Sequence, residues 1–340
     1  MRKYRLLLVV GLFMSLLLAT NSPAGYKKIA QTGFQFLSVN SDGQAAALSG
    51  AVISLELKSS SLFFNPAGMA NMPGFLDLSV SDNLFIADIH HNTVSLALRP
   101  FSGRYGVVGF SVQYVDYGDI QGTIVSPGSD AGYAKTNILT PSARAFGLGY
   151  AKALSDRFAV GGQVKYVTQD LSWSYVPVSA EVDADTGKVT NKLSPLAFDF
   201  GTQFKTGIKS LAFGMTIRNF SQEIKYAREG FQLPLILTMG ISMNLMDVLP
   251  ATSMKQSLML SVDASHDRSH TSKSAEHLMI GLDYRLMDML SVRGGYVSGE
   301  DLNNFSFGLG VTRLGVSFDY SYTPFDFFNP VQRMTARISL

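Results

Sequence analysis

The chain has no cysteine, a single tryptophan and few charges: 28 Lys+Arg and 26 Asp+Glu in 340 residues, a charged fraction of 16%. Without cysteine there is neither a disulfide framework nor thiol chemistry. Soluble globular proteins carry roughly 25% charged residues, so part of this surface is expected to face something other than water. The net charge of +2 is spread along the chain, and no basic block points to nucleic acid. Long apolar runs are also missing after the first residues. Every later one is broken within a few positions by a polar or charged residue, which excludes membrane-spanning helices.

The N-terminus is the exception. "MRKYR" is a positive n-region, "LLLVVGLFMSLLLAT" an apolar run, and "SPAG" places Ser22 and Ala24 for cleavage before Gly25. Residues 1–24 therefore read as a cleaved secretory signal peptide. The alternative, a single transmembrane anchor, needs ~20 apolar residues, and this run is shorter.

In place of apolar runs the chain has alternation. Met334, Ala336, Ile338 and Leu340 share one face of a strand, with Arg333, Thr335, Arg337 and Ser339 on the other. The same beat recurs at Phe158, Val160, Val164 and Tyr166, at Leu211, Phe213, Met215 and Ile217, at Leu235 through Met243, and at Leu314 through Tyr322. The pattern predicts strands near 75–84, 92–100, 104–115, 143–154, 157–169, 195–206, 209–219, 235–246, 257–266, 276–286, 289–299, 304–312, 313–322 and 331–340. These are about fourteen segments of roughly ten residues, the length of a tilted strand crossing a bilayer. Alternate connections are short ("FSG", "SD", "GI", "MD") and the others mostly long: 116–142, 170–194, 220–234, 267–275 and 323–330.

Short turns at one end and long loops at the other are the outer-membrane barrel pattern, with the short turns in the periplasm. Lipid offers backbone groups no partners, so without helices only a closed barrel can cross it. Tyr114, Tyr117, Trp173, Tyr175, Phe220 and Tyr322 fall near the outer strand ends, where aromatic rings favour the membrane interface. The expected fold is all-β, a transmembrane antiparallel barrel in the outer membrane of a Gram-negative-type bacterium, in contact with its lipid. A secreted soluble β-protein also alternates, but the two-sided loop asymmetry and the terminal strand speak against it.

Residues 25–74 have a different texture, rich in small residues and turns: "SDGQAAALSGAVISLELKSSSLFFNPAGMANMPG". Such a segment at the periplasmic end can enter the lumen or cover its mouth as a hatch, leaving 75–340 as the barrel. The motif Leu62, Phe63, Phe64, Asn65, Pro66, Ala67 and Gly68 supplies a turn between apolar flanks, because Pro66 restrains Asn65 and Gly68 tolerates backbone other residues avoid. A hatch gate is the sharper reading and a surface turn the plainer one.

At this point the chain resembles a family. "FQFLSVNSDGQAAALSGAVISL" followed by "SLFFNPAGMA" is similar to the N-terminal signature of PorV/PorQ proteins, within the wider FadL-like group of outer-membrane barrels. The resemblance covers essentially the mature chain, and the final Leu340 departs from the usual terminal Phe. It implies a fourteen-stranded barrel with an N-terminal hatch. It also implies one of two roles: a component of type IX protein secretion that engages cargo proteins by their C-terminal sorting domain, together with other secretion-system proteins, or a FadL-like channel for a hydrophobic small-molecule ligand. The secretion role is the expectation and transport the alternative.

Nothing in the sequence reads as catalytic. Among His90, His91, His266, His270 and His277, only His266 and His270 with Asp267 have a spacing that a turn could close on a metal, and solvated loop histidines are far commoner. No nucleophile elbow, His-Glu-x-x-His motif or phosphate loop occurs, so no catalytic residue, metal or cofactor is expected. The charges Lys165, Asp199, Lys205, Arg218, Asp283, Arg285, Arg293, Asp319, Arg333 and Arg337 fall on the polar phase of their strands. Being of both signs, they are expected to form a paired lumen network, centred on Lys165, Asp199, Arg218, Asp283, Arg293, Asp319 and Arg337, that holds the hatch. A wide water-filled porin is the competing arrangement.

Overall fold

The computed structural model describes residues 33–126, 128–177, 186–225, 230–248, 255–268, 275–299, 304–325 and 328–340. The signal-peptide region and His270 lie outside them. Fourteen antiparallel strands close into one barrel: β1 (Leu76–Leu84), β2 (His90–Leu98), β3 (Val107–Asp116), β4 (Ser142–Ala153), β5 (Phe158–Pro177), β6 (Leu196–Lys205), β7 (Ala212–Ser221), β8 (Leu235–Asn244), β9 (Gln256–Arg268), β10 (Ala275–Leu286), β11 (Leu290–Val297), β12 (Phe305–Arg313), β13 (Val316–Thr323) and β14 (Val331–Ser339). Each strand pairs with the next in sequence. β14 returns to β1 in register from Asp77↔Ser339 to Leu84↔Gln332. Closure leaves no unpaired edge, as a bilayer demands.

The alternation has its expected outcome. Along β1 the side chains of Asp77, Ser79, Ser81 and Asn83 are buried in the lumen, whereas Val80 is 48% exposed. On β12, Phe307, Leu309 and Val311 point outward and are about half exposed, 55%, 58% and 49%. Apolar area left open on every strand would be a liability in water; in lipid it is the solvated face.

Two details differ from the sequence reading. The predicted strand 157–169 runs on to Pro177, and its extension pairs with Thr186–Leu193 beyond the barrel rim. The loop 116–142 likewise contains a hairpin, Ile120–Val125 against Tyr133–Leu139. Both extensions are made of residues with strand propensity, and hairpin pairing satisfies their backbone above the membrane. Tyr117, expected at the lipid interface, instead packs half-buried against an apolar cluster at the outer mouth, because it shares the inward phase of Val115, 1% exposed, whereas Tyr114 on the opposite phase is 43% exposed.

Residues 33–72 form short helical turns: Gln35–Ser38, α1 (Gly43–Ala47), Lys58–Phe63 and Pro66–Met69. They lie against the lumen face of the wall. Asp42 caps α1 by accepting a hydrogen bond from Ala45 N at 3.0 Å, the usual way to satisfy a first-turn amide. The wall receives this segment at glycines. A Cβ on Gly308 would lie 2.4 Å from Ala47 Cβ, and one on Gly295 2.4 Å from the Leu48 carbonyl carbon. The small residues of "AAALSGA" therefore have a packing reason: backbone and wall meet with no room for larger groups on either side.

Leu309→Arg, at mid-height on the outer wall, should destabilise the barrel by about 2–4 kcal/mol, whereas Leu314→Arg in the β12–β13 turn should cost about 0–1 kcal/mol. Urea unfolding in lipid vesicles measures both; equal costs would mean that Leu309 does not face hydrocarbon.

Candidate functional site

Asn65 is 2% exposed and makes three contacts. Its Oδ1 accepts from Ala67 N at 3.1 Å, capping the Pro66–Met69 turn, while Nδ2 donates to Ile53 O at 2.8 Å and to Thr202 O on β6 at 3.0 Å. Pro66 occupies the first turn position, where its missing N–H costs nothing. The motif rests against two wall glycines. A Cβ on Gly201 would lie 1.9 Å from Asn65 Oδ1, and one on Gly161 2.5 Å from Ala67 N. Gly68 itself keeps an ordinary helical backbone; what it lacks is bulk, since a Cβ there would sit 2.5 Å from Ser61 Oγ. Its reason is crowding rather than an unusual backbone angle.

The apolar flanks divide. Leu62 and Met69 pack with Ala97, Val107, Ala151 and Ala159 on the wall. Phe64 joins Ala45, Leu48, Val52, Ile53 and Leu57 within the segment itself, and Phe63 lies half-buried beside them.

The seven lumen charges are all on inward-facing positions, six of them in three groups and Arg218 apart. Lys165 Nζ meets Asp199 Oδ2 at 2.7 Å and donates to Asn219 Oδ1 at 2.5 Å. Asn219 sits at a register shift in β7 with φ 61, which turns its N–H onto Asp199 Oδ1 at 2.7 Å. Arg293 lies between Asp283 Oδ2 at 3.2 Å and Asp319 Oδ1 at 2.6 Å. Arg337 Nη2 reaches Asp42 Oδ2 at 3.3 Å and donates to Ser60 Oγ at 2.8 Å. Arg218 departs from simple charge pairing: its Nη1 donates to the Phe63 carbonyl at 2.6 Å, so it grips the inner segment by backbone. Lys205 is half-exposed and pairs with Glu56 at 2.7 Å.

Three carboxylates missing from the expected network do as much. Buried Asp77 accepts from Ser59 N at 3.0 Å, Ser59 Oγ at 2.5 Å and Ser339 Oγ at 2.7 Å. Asp263 Oδ2 accepts from Ile53 N at 2.9 Å, and Asp42 serves α1 and Arg337 together. Asp77 and Asp263 share the polar phase with Ser79 and Ser261, so the alternation rule was already enough to find them. Asp42 lies in a segment without that rhythm. Beside Asp77, burial holds the Lys58 ammonium below the ordinary lysine range despite the nearby carboxylate.

The outer half of the lumen has another character. Phe34, Phe36 and Leu37 pack with Val115, Ala143, Ala145, Val167, Ala197 and Leu233 in a buried apolar cluster, anchored where Phe34 N donates to Gln169 Oε1 at 2.8 Å. The sequence reading missed this chamber because Phe34, Leu233 and the wall valines lie far apart in the chain. Among the described residues no group of three or more His, Cys, Asp or Glu side chains is placed to hold a metal. His91 is buried in the lumen, and His266 lies 3.8 Å from Glu276.

Asn65→Ala removes three hydrogen bonds and leaves the Ile53 carbonyl without this donor, a loss of about 1–3 kcal/mol confined to the inner segment. The variant should still migrate as a heat-modifiable folded barrel but show faster proteolysis between residues 53 and 70. Loss of the folded band would make the motif part of barrel assembly instead.

No protein-family model matches the chain, and no curated protein is similar to it in sequence. Solved structures do share its fold. The CymD monoaromatic hydrocarbon channel superposes with a TM-score of 0.59 at 11% identity, over 88% of this chain and 98% of its own. The toluene transporter TbuX of Ralstonia pickettii gives 0.58 at 12% identity with the same coverage, 88% and 98%. A FadL homologue of Pseudomonas aeruginosa gives 0.54 at 13%, again over 88% and 98%. The chain thus has the fold of FadL-type outer-membrane barrels.

Proposed function

We propose that the chain is an outer-membrane channel for hydrophobic small molecules, with residues 33–72 as its hatch and Leu62–Gly68 as the part that shifts. The observation that carries this is the outer apolar chamber, occupied by Phe34, Phe36 and Leu37 of the chain itself. An apolar solute from the medium or the outer leaflet can take the place of those side chains with little change in buried area, so exchange costs little. The lumen charges are mostly paired with each other or bonded to the hatch, which suits a closed passage better than an open aqueous pore.

The fold neighbours support the same reading, because the solved barrels it resembles are a monoaromatic hydrocarbon channel and toluene transporters. They are transport proteins, not enzymes. The secretion role implied by the PorV/PorQ resemblance finds no support among them, and the chamber gives no reason to prefer a protein cargo.

N-phenyl-1-naphthylamine, a neutral fluorescent probe, should bind the purified protein in nanodiscs and be displaced by toluene. Leu233→Asn, which puts an amide into the chamber, should weaken the probe by about tenfold while the barrel stays heat-modifiable. Unchanged binding in that variant, or none in the parent protein, refutes the channel reading.

A further inference from the structure

The turn between β2 and β3, "RPFSGRYG" at residues 99–106, and the end of β4 beside it make a patch on the outer wall that a channel through the lumen does not use. Along the outward phase of β4 the side chains run Phe146, Leu148, Tyr150 and Lys152 towards the short-turn end. Hydrocarbon comes first, then an aromatic hydroxyl, then a cation. A bilayer followed from its middle to its phosphates has the same order. The neighbouring strand repeats it, because Phe110 and Val108 on β3 stand opposite Leu148 and Tyr150 and lead into Tyr105 and Arg104 of the turn.

The turn is shaped to present that face. Phe101 and Ser102 adopt φ of 51 and 54, and Gly103 and Gly106 follow at 81 and 95, which leaves Phe101 and Tyr105 76% and 58% exposed. Their rings meet edge to face at 5.7 Å. Tyr150 Oη donates to the Tyr105 carbonyl at 2.5 Å and so ties the turn to β4; a Cβ on Gly106 would lie 2.7 Å from that hydroxyl. Arg99 serves the hatch instead, its Nη1 donating to Met72 O at 3.0 Å. Arg104 lies over the Tyr105 ring, 5.6 Å from its centroid, and among the described residues neither Arg104 nor Lys152 has a carboxylate partner. Two unpaired cations therefore flank three aromatic rings. Turns in water favour Gly, Asn, Asp and Ser, whereas rings at such a tip suit the interfacial layer of a membrane.

The charge of the whole molecule points the same way. Counted in the sequence, the short turns at 99–106, 152–157, 205–211, 245–255, 285–289 and 313–315 carry nine lysines and arginines against three aspartates. The connections at the other end, 84–90, 116–142, 170–194, 220–234, 267–275, 298–304 and 323–330, carry fourteen carboxylates against seven. Anions are drawn to the short-turn end and away from the loops.

We infer that Phe101, Arg104, Tyr105, Tyr150 and Lys152 form a binding site for an anionic phospholipid of the periplasmic leaflet, with Arg104 and Lys152 on its phosphate and the rings against its glycerol backbone and upper acyl chain. A guanidinium offers phosphate oxygens two parallel N–H donors, and the lysine adds a mobile point charge. A zwitterionic headgroup brings its own cation beside these two and loses that advantage. An acidic periplasmic protein would meet the cations as well, but it gives no reason for rings that continue the apolar band of Phe110 and Leu148.

The test places the full-length protein in nanodiscs of equimolar palmitoyl-oleoyl phosphatidylglycerol and phosphatidylcholine and counts the lipids that stay bound by native mass spectrometry. Phosphatidylglycerol should be retained about tenfold over phosphatidylcholine. Arg104→Gln with Lys152→Gln should bring the ratio close to one while the barrel stays heat-modifiable, and Arg104→Lys should keep most of it. Lys135→Gln with Lys225→Gln, the same loss of charge among the outer loops, should leave the ratio at the parent value. Equal retention in the parent protein overturns the inference and leaves the cations to an acidic protein partner. A preference that survives the first pair, or falls equally with the second, overturns it too, since net charge rather than this patch would then set the ratio.

Discussion

The structure depends on one constraint: in hydrocarbon, every backbone amide and carbonyl must find its partner within the protein. Fourteen strands meet it by pairing β14 with β1, and the consequence is an enclosed lumen. A lumen lined by Asp77, Asp199, Asp283, Arg293 and Arg337 cannot be left dry and empty, because buried charges need partners. The wall itself supplies them for Asp199, Asp283 and Arg293, and the hatch for Asp77 and Arg337. Hatch serines, backbone amides and carbonyls answer the wall charges, and the wall charges in turn fix the path of the hatch.

Close approach makes that exchange work. Hydrogen bonds of 2.6–3.3 Å between hatch and wall require the two backbones to come near each other, and glycines 161, 201, 295 and 308 are where they do. The small residues at 45–47 and the Asn65–Ala67 turn sit opposite those glycines. Packing and polarity thus act together.

Much of the barrel was legible because a period of two has a single physical meaning. Val80, Leu309 and Met334 stand opposite polar neighbours, and wherever lipid and lumen flank a strand the two faces must differ. The inward charges were legible for the same reason, although Asp77 and Asp263 escaped attention while Asp283 did not. Arg218 illustrates the limit. Alternation put it in the lumen, but its partner is the Phe63 carbonyl, 155 residues away, and backbone acceptors carry no signature in the sequence. The outer chamber was illegible too: Phe34, Val115, Val167 and Leu233 belong to different elements and meet through closure alone.

By itself, then, the sequence determined the strand pattern, the lipid and lumen faces, and the break in texture before residue 75, since these follow from local periodicity and composition. Tertiary structure decided what fills the lumen, which charges meet, and where the apolar cluster of the outer lumen lies. Those depend on contacts between different elements, from the 26 positions that separate Arg293 and Asp319 to the 295 that separate Asp42 and Arg337, and the longest of them come into reach when the first strand meets the last.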